Sequence, residues 1–487
     1  MLFNSFQFLL FFPIVSILYY IIPSKFRYIW LLLASYYFYM CWSPKYLLLM
    51  LISTLITYLS GILIGGGWKN KKLWVTLSFL LNLAILFFFK YFDFTIQNIN
   101  RVLAFCHIQI IQTSFDILLP VGISFYTFQA LSYTMDVYQG RVCPEKNFAR
   151  YALFVSFFPQ LVAGPIERSK DLLGQFHKDH SFDRERVEHG LLLMAWGFFE
   201  KLVIADRAAL LVNQVYNNYQ EYQGIALLIA TVFFSIQIYC DFCGYSDIAR
   251  GAAAVLGFQL SKNFRQPYFS RSVSEFWKRW HISLTSWFRD YVYIPMGGNR
   301  KGELRKYINI MVVFTLSGLW HGASWSFVMW GLLNGFYQLV GAVTMPVRKF
   351  IEKKIHFETM TTGRKLFQVM VTFLLINSTW IFFRAESFHH AISVYGQMFS
   401  CFNPWILFDG TLFQLGLNQR EFLIVMIAIA IKIVMSLIEY FDSLHNIWDK
   451  QGTLSKGILA YVLLISVIVF GIYGAGYDEA QFIYFQF

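Results

Sequence analysis

Long apolar runs dominate this chain and restrict what it can fold into. Of its 487 residues, 57% are hydrophobic and only 14% are charged. Because a bilayer core of about 30 Å takes roughly 20 apolar helical residues, these runs predict an all-α polytopic membrane protein with about 11–12 transmembrane helices plus re-entrant and interfacial helices. The predicted spans are residues 6–22, 28–42, 45–64, 73–93, 117–138, 190–212, 224–245, 307–320, 324–345, 366–383, 422–440 and 457–475.

The first run and the absence of linkers bear on domain organisation. No basic residue precedes the first run, and Lys25 and Arg27 follow it, which predicts a retained span rather than a cleaved signal peptide. We find no internal repeat and no Gly/Ser linker. The sequence therefore predicts one transmembrane domain over residues 1–475 and a C-terminal tail over residues 476–487.

Basic residues are spread over short loops, which argues against nucleic-acid binding and instead reports orientation in the lipid bilayer. Lysine and arginine are absent from residues 213–222 and 385–419, so we expect these segments outside the membrane on the extracytoplasmic side. With an even number of crossings, both termini are predicted to be extracytoplasmic. The loops expected in the cytoplasm are 24–27, 68–72, 141–186, 250–279, 299–306 and 347–354.

Two segments depart from simple spanning. Residues 154–167 have basic loops on both sides and contain Pro159, Gly164 and Pro165, which predicts a re-entrant segment buried in protein or lining a wet cavity. Residues 307–345 would form about 58 Å of helix, enough for about two crossings. This helical hairpin turns at SGLWHGASW, so His321 is predicted to lie at or below its outer end, inside the membrane zone.

Three candidate sites of chemistry follow. A histidine at the depth of His321 is either part of an active site or hydrogen-bonded to a neighbouring helix, and from depth alone the two readings carry equal weight. The small residues Gly322, Ala323 and Ser324 beside it would let a substrate group approach, which favours an active site.

His281 lies on the apolar face of a predicted interfacial amphipathic helix, 274–295, where packing alone would also explain its position. Asp241 lies near the cytoplasmic end of the predicted span 224–245 and is a candidate functional residue. Asp247 is expected to pair with Arg250 at the helix end.

Metal binding and covalent serine catalysis are not predicted. The six cysteines are scattered, and Cys240 and Cys243 have no second pair to complete a zinc site. There is no phosphate-binding P-loop, no Ser-His-Asp order and no G-x-S-x-G elbow.

Five stretches together resemble one family. PVGISFYTFQ (120–129), FFPQLVAGPIER (157–168), GYSDIARG (244–251), EFWKRWHISLTSWFRDYVYIPMGG (275–298) and SGLWHGASWSFVMWG (317–331) are similar to the membrane-bound O-acyltransferases. The likeness is greatest to the bacterial branch that acts in alginate O-acetylation and teichoic-acid D-alanylation. It runs in chain order over most of the sequence.

The resemblance implies a ring of helices around a tunnel in the bacterial cytoplasmic membrane. It places the family's invariant histidine at His321 and a second histidine at His281. The residues expected to line or support the tunnel are Asp241, Trp320, Ser324, Trp277, Arg289 and Asp290.

The resemblance also implies acetyl-CoA, or an acyl carrier thioester, as donor substrate and no tightly bound cofactor. The acceptor would be an extracytoplasmic polysaccharide, reached through a serine-bearing partner of the GDSL/SGNH-hydrolase type. Within the family, D-alanyl transfer to teichoic acid is the alternative. Outside it, a polysaccharide flippase or transporter would share the same composition.

The chain ends on an aromatic tail, QFIYFQF. It could anchor at the membrane interface. Its F-x-Y-x-x-F pattern, however, is similar to the C-terminal motif of a small accessory protein of D-alanylation systems, and the tail is long enough to fold back into the membrane core. The sequence therefore makes Tyr484 a candidate acyl carrier, with Phe482, Phe485 and Phe487 as anchors.

Overall fold

The computed structural model describes residues 1–67, 69–112, 120–161, 164–354, 361–441, 448–474 and 483, and all regular elements among them are helical. The α-helices, in chain order, are α1 (Phe6–Ile21), α2 (Ser24–Met40), α3 (Pro44–Gly65), α4 (Lys71–Leu86), α5 (Phe92–Phe105), α6 (Ile123–Tyr138), α7 (Phe148–Ser156), α8 (Phe158–Leu161), α9 (Ser169–Leu172), α10 (Arg184–Phe198), α11 (Asp206–Asn217), α12 (Ile225–Val255), α13 (Val273–Arg279), α14 (Ile282–Phe288), α15 (Glu303–His321), α16 (Trp325–Val343), α17 (Met345–Lys354), α18 (Thr362–Arg384), α19 (Phe388–Ser400), α20 (Gln419–Phe441) and α21 (Thr453–Phe470).

Seven helical segments within the described residues are long and apolar enough to cross a membrane. Together with the all-helical architecture, they confirm a multi-pass membrane protein. The described parts of the other predicted runs fall on helices that are shorter, less apolar or interrupted, and residues 117–119 of the run 117–138 lie outside the described residues. The seven segments are Pro44–Gly65, Lys71–Phe105, Ile225–Val255, Trp325–Val343, Thr362–Arg384, Gln419–Tyr440 and Thr453–Phe470.

The chain divides into two compact units. The first comprises residues 1–194 and 245–261, and the second comprises residues 195–244 and 262–487. Two of the boundaries fall inside α10 and α12. Because the chain passes between the units within continuous helices, no flexible linker marks them in the sequence.

The first unit contains the predicted re-entrant segment, and its described part is buried in protein. Phe154, Phe157 and Phe158 are fully buried. The backbone carbonyl of Phe154 accepts hydrogen bonds from the side-chain amides of Gln129 and Gln160, both at 2.7 Å. These side chains satisfy backbone polarity that the short helices α7 and α8 leave open, as buried irregular backbone requires.

The same unit holds a buried carboxylate next to that segment. Glu167 accepts hydrogen bonds from the Ser261 backbone amide at 2.6 Å and from the Ser261 hydroxyl at 3.1 Å. Burial raises the pKa of Glu167 to about 7, although the two bonds from Ser261 act in the opposite direction. Nearby, Arg250 donates to Asp247 at 2.7 Å, which confirms the predicted helix-end pair.

The second unit contains the predicted hairpin, formed by α15 and α16. Gly318 and Gly331 lie where the two helices cross. A Cβ added to Gly331 would lie 3.3 Å from the Cα atom of Gly318. A Cβ on Gly318 would lie 2.2 Å from the Phe327 carbonyl oxygen, and one on Gly331 would lie 2.2 Å from the Phe314 carbonyl oxygen. Only glycine allows this approach of the two backbones.

Candidate active site

The hairpin turn determines where His321 lies. The residue ends α15, and Gly322 leaves the helix in an extended conformation with φ −163°. Ser324 caps α16 with φ −147°, so the turn lies at residues 322–324 as the sequence predicts. The glycine crossing below the turn holds both helices together at this end.

Three aromatic rings surround His321. The ring centroid of His321 lies 5.0 Å from that of Trp320, 5.0 Å from that of Trp330 and 5.2 Å from that of Phe383, each in an edge-on arrangement. His321 is 5% exposed. Packing of this kind fixes the position of the imidazole and excludes bulk water from it.

His281 reaches the same place by a break in the backbone. Residue 281 has φ 44°, a left-handed conformation that non-glycine residues seldom adopt. The prediction of one continuous helix over 274–295 is therefore wrong, because α13 ends at Arg279 and α14 begins at Ile282. The break is held by Asn263, whose carbonyl accepts from the Ile282 amide at 2.9 Å and whose side chain accepts from the Ser283 hydroxyl at 2.7 Å.

The two imidazoles are neighbours. Their ring centroids are 6.4 Å apart, and the Trp320 ring lies beside both. His281 is 1% exposed and also packs edge-on against Phe242 at 4.7 Å. Burial lowers the pKa of His281 to about 3, which keeps that ring neutral at physiological pH. Two rings at this separation can both contact one small reacting group.

The supporting residues predicted from the sequence separate into two sets. Trp277 and Trp320 are buried, and Trp277 donates to Asn334 of α16 at 3.3 Å and packs on Trp330 at 5.5 Å. Arg289 and Asp290 lie on the π-helical turn that follows α14 and bond to each other at 2.8 Å, with the Arg289 side chain 63% exposed. That degree of exposure distinguishes Arg289 from the enclosed histidines.

Asp241 is buried in an ion-pair cluster. The Lys201 ammonium lies 2.7 Å from Asp241 and 2.8 Å from Asp206, and all three side chains are at most 5% exposed. Lys201 belongs to a π-helical segment, Phe199–Ala205, which interrupts the predicted span 190–212. Lys201 was not among the predicted site residues, although a lysine inside an apolar run is a signal of a buried partner.

A second buried pair also escaped the sequence analysis. Lys432 of α20 bonds to Glu200, and its ammonium lies 4.9 Å from the Tyr239 ring centroid. Trp330 and Phe383, which pack on His321 from α16 and α18, were not predicted either. Nor was Trp380 of α18, which packs on Trp330.

The tail is described at one residue. Tyr484, Phe482, Phe485 and Phe487 lie outside the described residues. Ile483 is 1% exposed, and its backbone amide donates to Asp241 at 2.8 Å.

Comparison with known proteins places the chain in a family. The sequence model of the membrane-bound O-acyltransferase family matches residues 144–382, which include both histidines. A probable alginate O-acetylase of Pseudomonas putida is 38% identical over 437 residues, 88% of this chain and 87% of the relative. The chain belongs to the membrane-bound O-acyltransferase family. This membership makes it an O-acyltransferase and removes the transporter alternative.

Other members of the family differ in their acceptors. A peptidoglycan O-acetyltransferase of Helicobacter pylori is 36% identical over 395 residues, 75% of this chain and 72% of that relative. A teichoic acid D-alanyltransferase of Bacillus subtilis is 27% identical over 288 residues, 55% of this chain and 70% of that relative. The match to the family model ends before α19, so the aromatic tail lies outside it.

Proposed function

We propose that this protein passes an acetyl group from a cytoplasmic thioester, acetyl-CoA in the first instance, to an extracytoplasmic polysaccharide. The observation that carries the proposal is the buried pair His281–His321 in a member of an acyltransferase family. Relatives named as O-acetylases or O-acetyltransferases match at 36–38% identity, against 27% for the D-alanyltransferases, which favours acetyl over D-alanyl.

His321 acts as the general base in this proposal. Transfer from a thioester to a hydroxyl requires a group that takes the hydroxyl proton, and imidazole, with an ordinary pKa of about 6.5, suits that task near neutral pH. His321 ends its helix at the hairpin turn, and in this proposal the substrate reaches it there. The ring centroid of His281 lies 6.4 Å from that of His321. In this proposal His281 orients either the acyl group or a second group that donates a proton.

Tyr484 carries the acetyl group between donor and partner. In the first step the phenolic oxygen attacks the thioester carbonyl while its proton passes to His321. The carbon–sulfur bond then breaks, and the leaving thiolate takes this proton from His321 and departs as the thiol. A phenol, with a pKa of about 10, is a far better leaving group than an ordinary alcohol, so the ester remains transferable. Burial of the adjacent Ile483 supports a tail that enters the protein interior.

A serine-bearing partner of the GDSL/SGNH-hydrolase type accepts the acetyl group next. Its hydroxyl attacks the tyrosyl ester, the seryl ester forms, and the phenol of Tyr484 is restored. The partner then esterifies a polysaccharide hydroxyl. This order requires the tail on the extracytoplasmic side of the bacterial cytoplasmic membrane, in agreement with the predicted positions of both termini.

Transfer of label tests the proposal. The purified protein, reconstituted in liposomes with the partner and the polymer, should move radiolabelled acetyl from acetyl-CoA to the polymer. His321→Ala should lower the rate by about 10²–10⁴, the usual effect of removing a general base. Tyr484→Phe should abolish transfer, although it removes a single oxygen. Normal acetylation by a folded His321→Ala protein would contradict the role of His321, and full activity of Tyr484→Phe would contradict the relay.

A further inference from the structure

The ion-pair cluster in the second unit is built around one lysine. Lys201 lies on the π-helical segment Phe199–Ala205 and contacts Oδ1 of Asp206 at 2.8 Å and Oδ1 of Asp241 at 2.7 Å. Lys201 itself is fully buried. π-Helical insertions recur at functional sites because they re-aim side chains that a regular helix would point elsewhere. Here the insertion directs a cation at two carboxylates.

The second oxygen of Asp241 binds the C-terminal tail. The Ile483 backbone amide donates to Asp241 Oδ2 at 2.8 Å, and Ile483 is buried. An amide bonded to a carboxylate is a charge-assisted hydrogen bond, which is roughly twice as strong as a neutral one. One carboxylate thus joins α12, the lysine and the tail.

The chain just before the tail is fixed to the same region. The Ile472 amide donates to the Leu202 carbonyl at 3.1 Å, and Arg207 Nη2 donates to the Phe470 carbonyl at 2.6 Å. Leu202 is the residue after Lys201. Both ends of the segment 472–483 are therefore held by elements that touch the lysine.

We propose that Asp241 is a positioning residue that clamps the C-terminal tail through the Ile483 amide, while Lys201 holds the carboxylate in the orientation that this bond needs. The bond is made to the backbone of Ile483, so it does not depend on the identity of the side chain at that position. The clamp stands on the contacts of Ile483. Its consequence for acyl transfer rests on the proposed relay.

Asp241→Asn is the test variant. Asparagine has one acceptor oxygen, which the Lys201 ammonium takes, so its NH₂ group would face the Ile483 N–H and repel it. Asp206→Asn is the matched control, because it removes the other carboxylate on Lys201 and leaves the Asp241–Ile483 bond in place. Both variants change one oxygen to one NH₂ in the same cluster.

Hydrogen exchange of the tail amides separates the two variants. We expect Asp241→Asn to lower the protection of the Ile483 amide by about 10- to 100-fold, the range for a lost bond to a charged group. Asp206→Asn should leave it within about twofold of the wild type. Acetyl transfer should fall in parallel with protection while the KM for the donor stays unchanged. Equal protection of Ile483 in the wild type and in Asp241→Asn would overturn the clamp.

A tail variant covers the case in which Asp241→Asn does not fold. Ile483→Pro removes the amide hydrogen and also fixes φ, whereas Ile483→Ala keeps the hydrogen. Carboxypeptidase should release the terminal Phe487, which lies beyond the substituted position, at least tenfold faster from the proline variant than from the alanine variant. Equal digestion would refute the clamp. Full activity of Tyr484→Phe would refute the relay and leave the clamp untouched, so the two failures are distinguishable.

Discussion

Substituting Gly331 by alanine should damage catalysis from a distance. The added Cβ would lie 2.2 Å from the Phe314 carbonyl oxygen. An ordinary carbon–oxygen contact is about 3.3 Å, so α15 and α16 must separate by about 1 Å. Because His321 ends α15 and Trp330 packs on it from α16 at 5.0 Å, the separation acts directly on the geometry around the imidazole.

The magnitude follows from that displacement. A 1 Å misplacement of reacting groups can lower the rate by about 10²-fold. Overpacking of this kind also costs about 1–3 kcal/mol of stability. We therefore expect Gly331→Ala to reach the membrane at a reduced level and, per molecule, to transfer acetyl about 10²-fold more slowly than the wild type.

A control in the same helix isolates the effect. A Cβ added to Gly341 of α16 would meet only the Arg348 guanidinium, at 4.0 Å, so Gly341→Ala should keep full activity. The higher helix propensity of alanine should raise the stability of this variant by up to about 1 kcal/mol. Activity is measured as label transferred from acetyl-CoA per folded molecule, with folding checked by gel filtration in detergent. A Gly331→Ala protein as active as Gly341→Ala would refute the argument that the glycine crossing positions His321.

Three further predictions concern other parts of the chain. His281→Gln should lower the acetyl-transfer rate without unfolding the protein. If this variant has wild-type activity, His281 serves packing and not catalysis. Glu167 has its pKa raised from an ordinary 4.5 to about 7, so its burial costs stability above pH 7 and the cost disappears as the pH falls toward 4.5. The wild type should accordingly unfold at a higher temperature at pH 5 than at pH 8, and this difference in unfolding temperature should be smaller in Glu167→Gln. The same difference in both proteins would contradict the role of Glu167. Single cysteines placed at each terminus, in a background without native thiols, should react with impermeant reagents from the extracytoplasmic side, and labelling only from the cytoplasm would overturn the topology.

The hairpin was predictable from sequence because its signals are local. The apolar runs 307–320 and 324–345 are separated by His321, Gly322 and Ala323, which predicts the turn. Basic residues before the first run and after the second predict that both of these ends are cytoplasmic. The structure accordingly ends α15 at His321 and begins α16 at Trp325.

The break at His281 could not be predicted in the same way. A left-handed residue between Trp280 and Ile282 runs against helical periodicity, and it is stabilised by Asn263, far from the break in sequence. The buried lysines are similar, since Lys201 and Lys432 are neutralised by Asp241 and Glu200 from other segments. The sequence identifies Asp241 as an ionisable residue in an apolar run and does not reveal that Lys201 is its partner.

Trapping the acetylated intermediate tests the central claim most directly. The protein in liposomes, given labelled acetyl-CoA and no partner, should accumulate one acetyl ester, and mass spectrometry should place it on Tyr484. His321→Ala should form the ester about 10²–10⁴ times more slowly, and Tyr484→Phe should form none. An ester on another residue, or polymer acetylation by the Tyr484→Phe protein, would contradict the account.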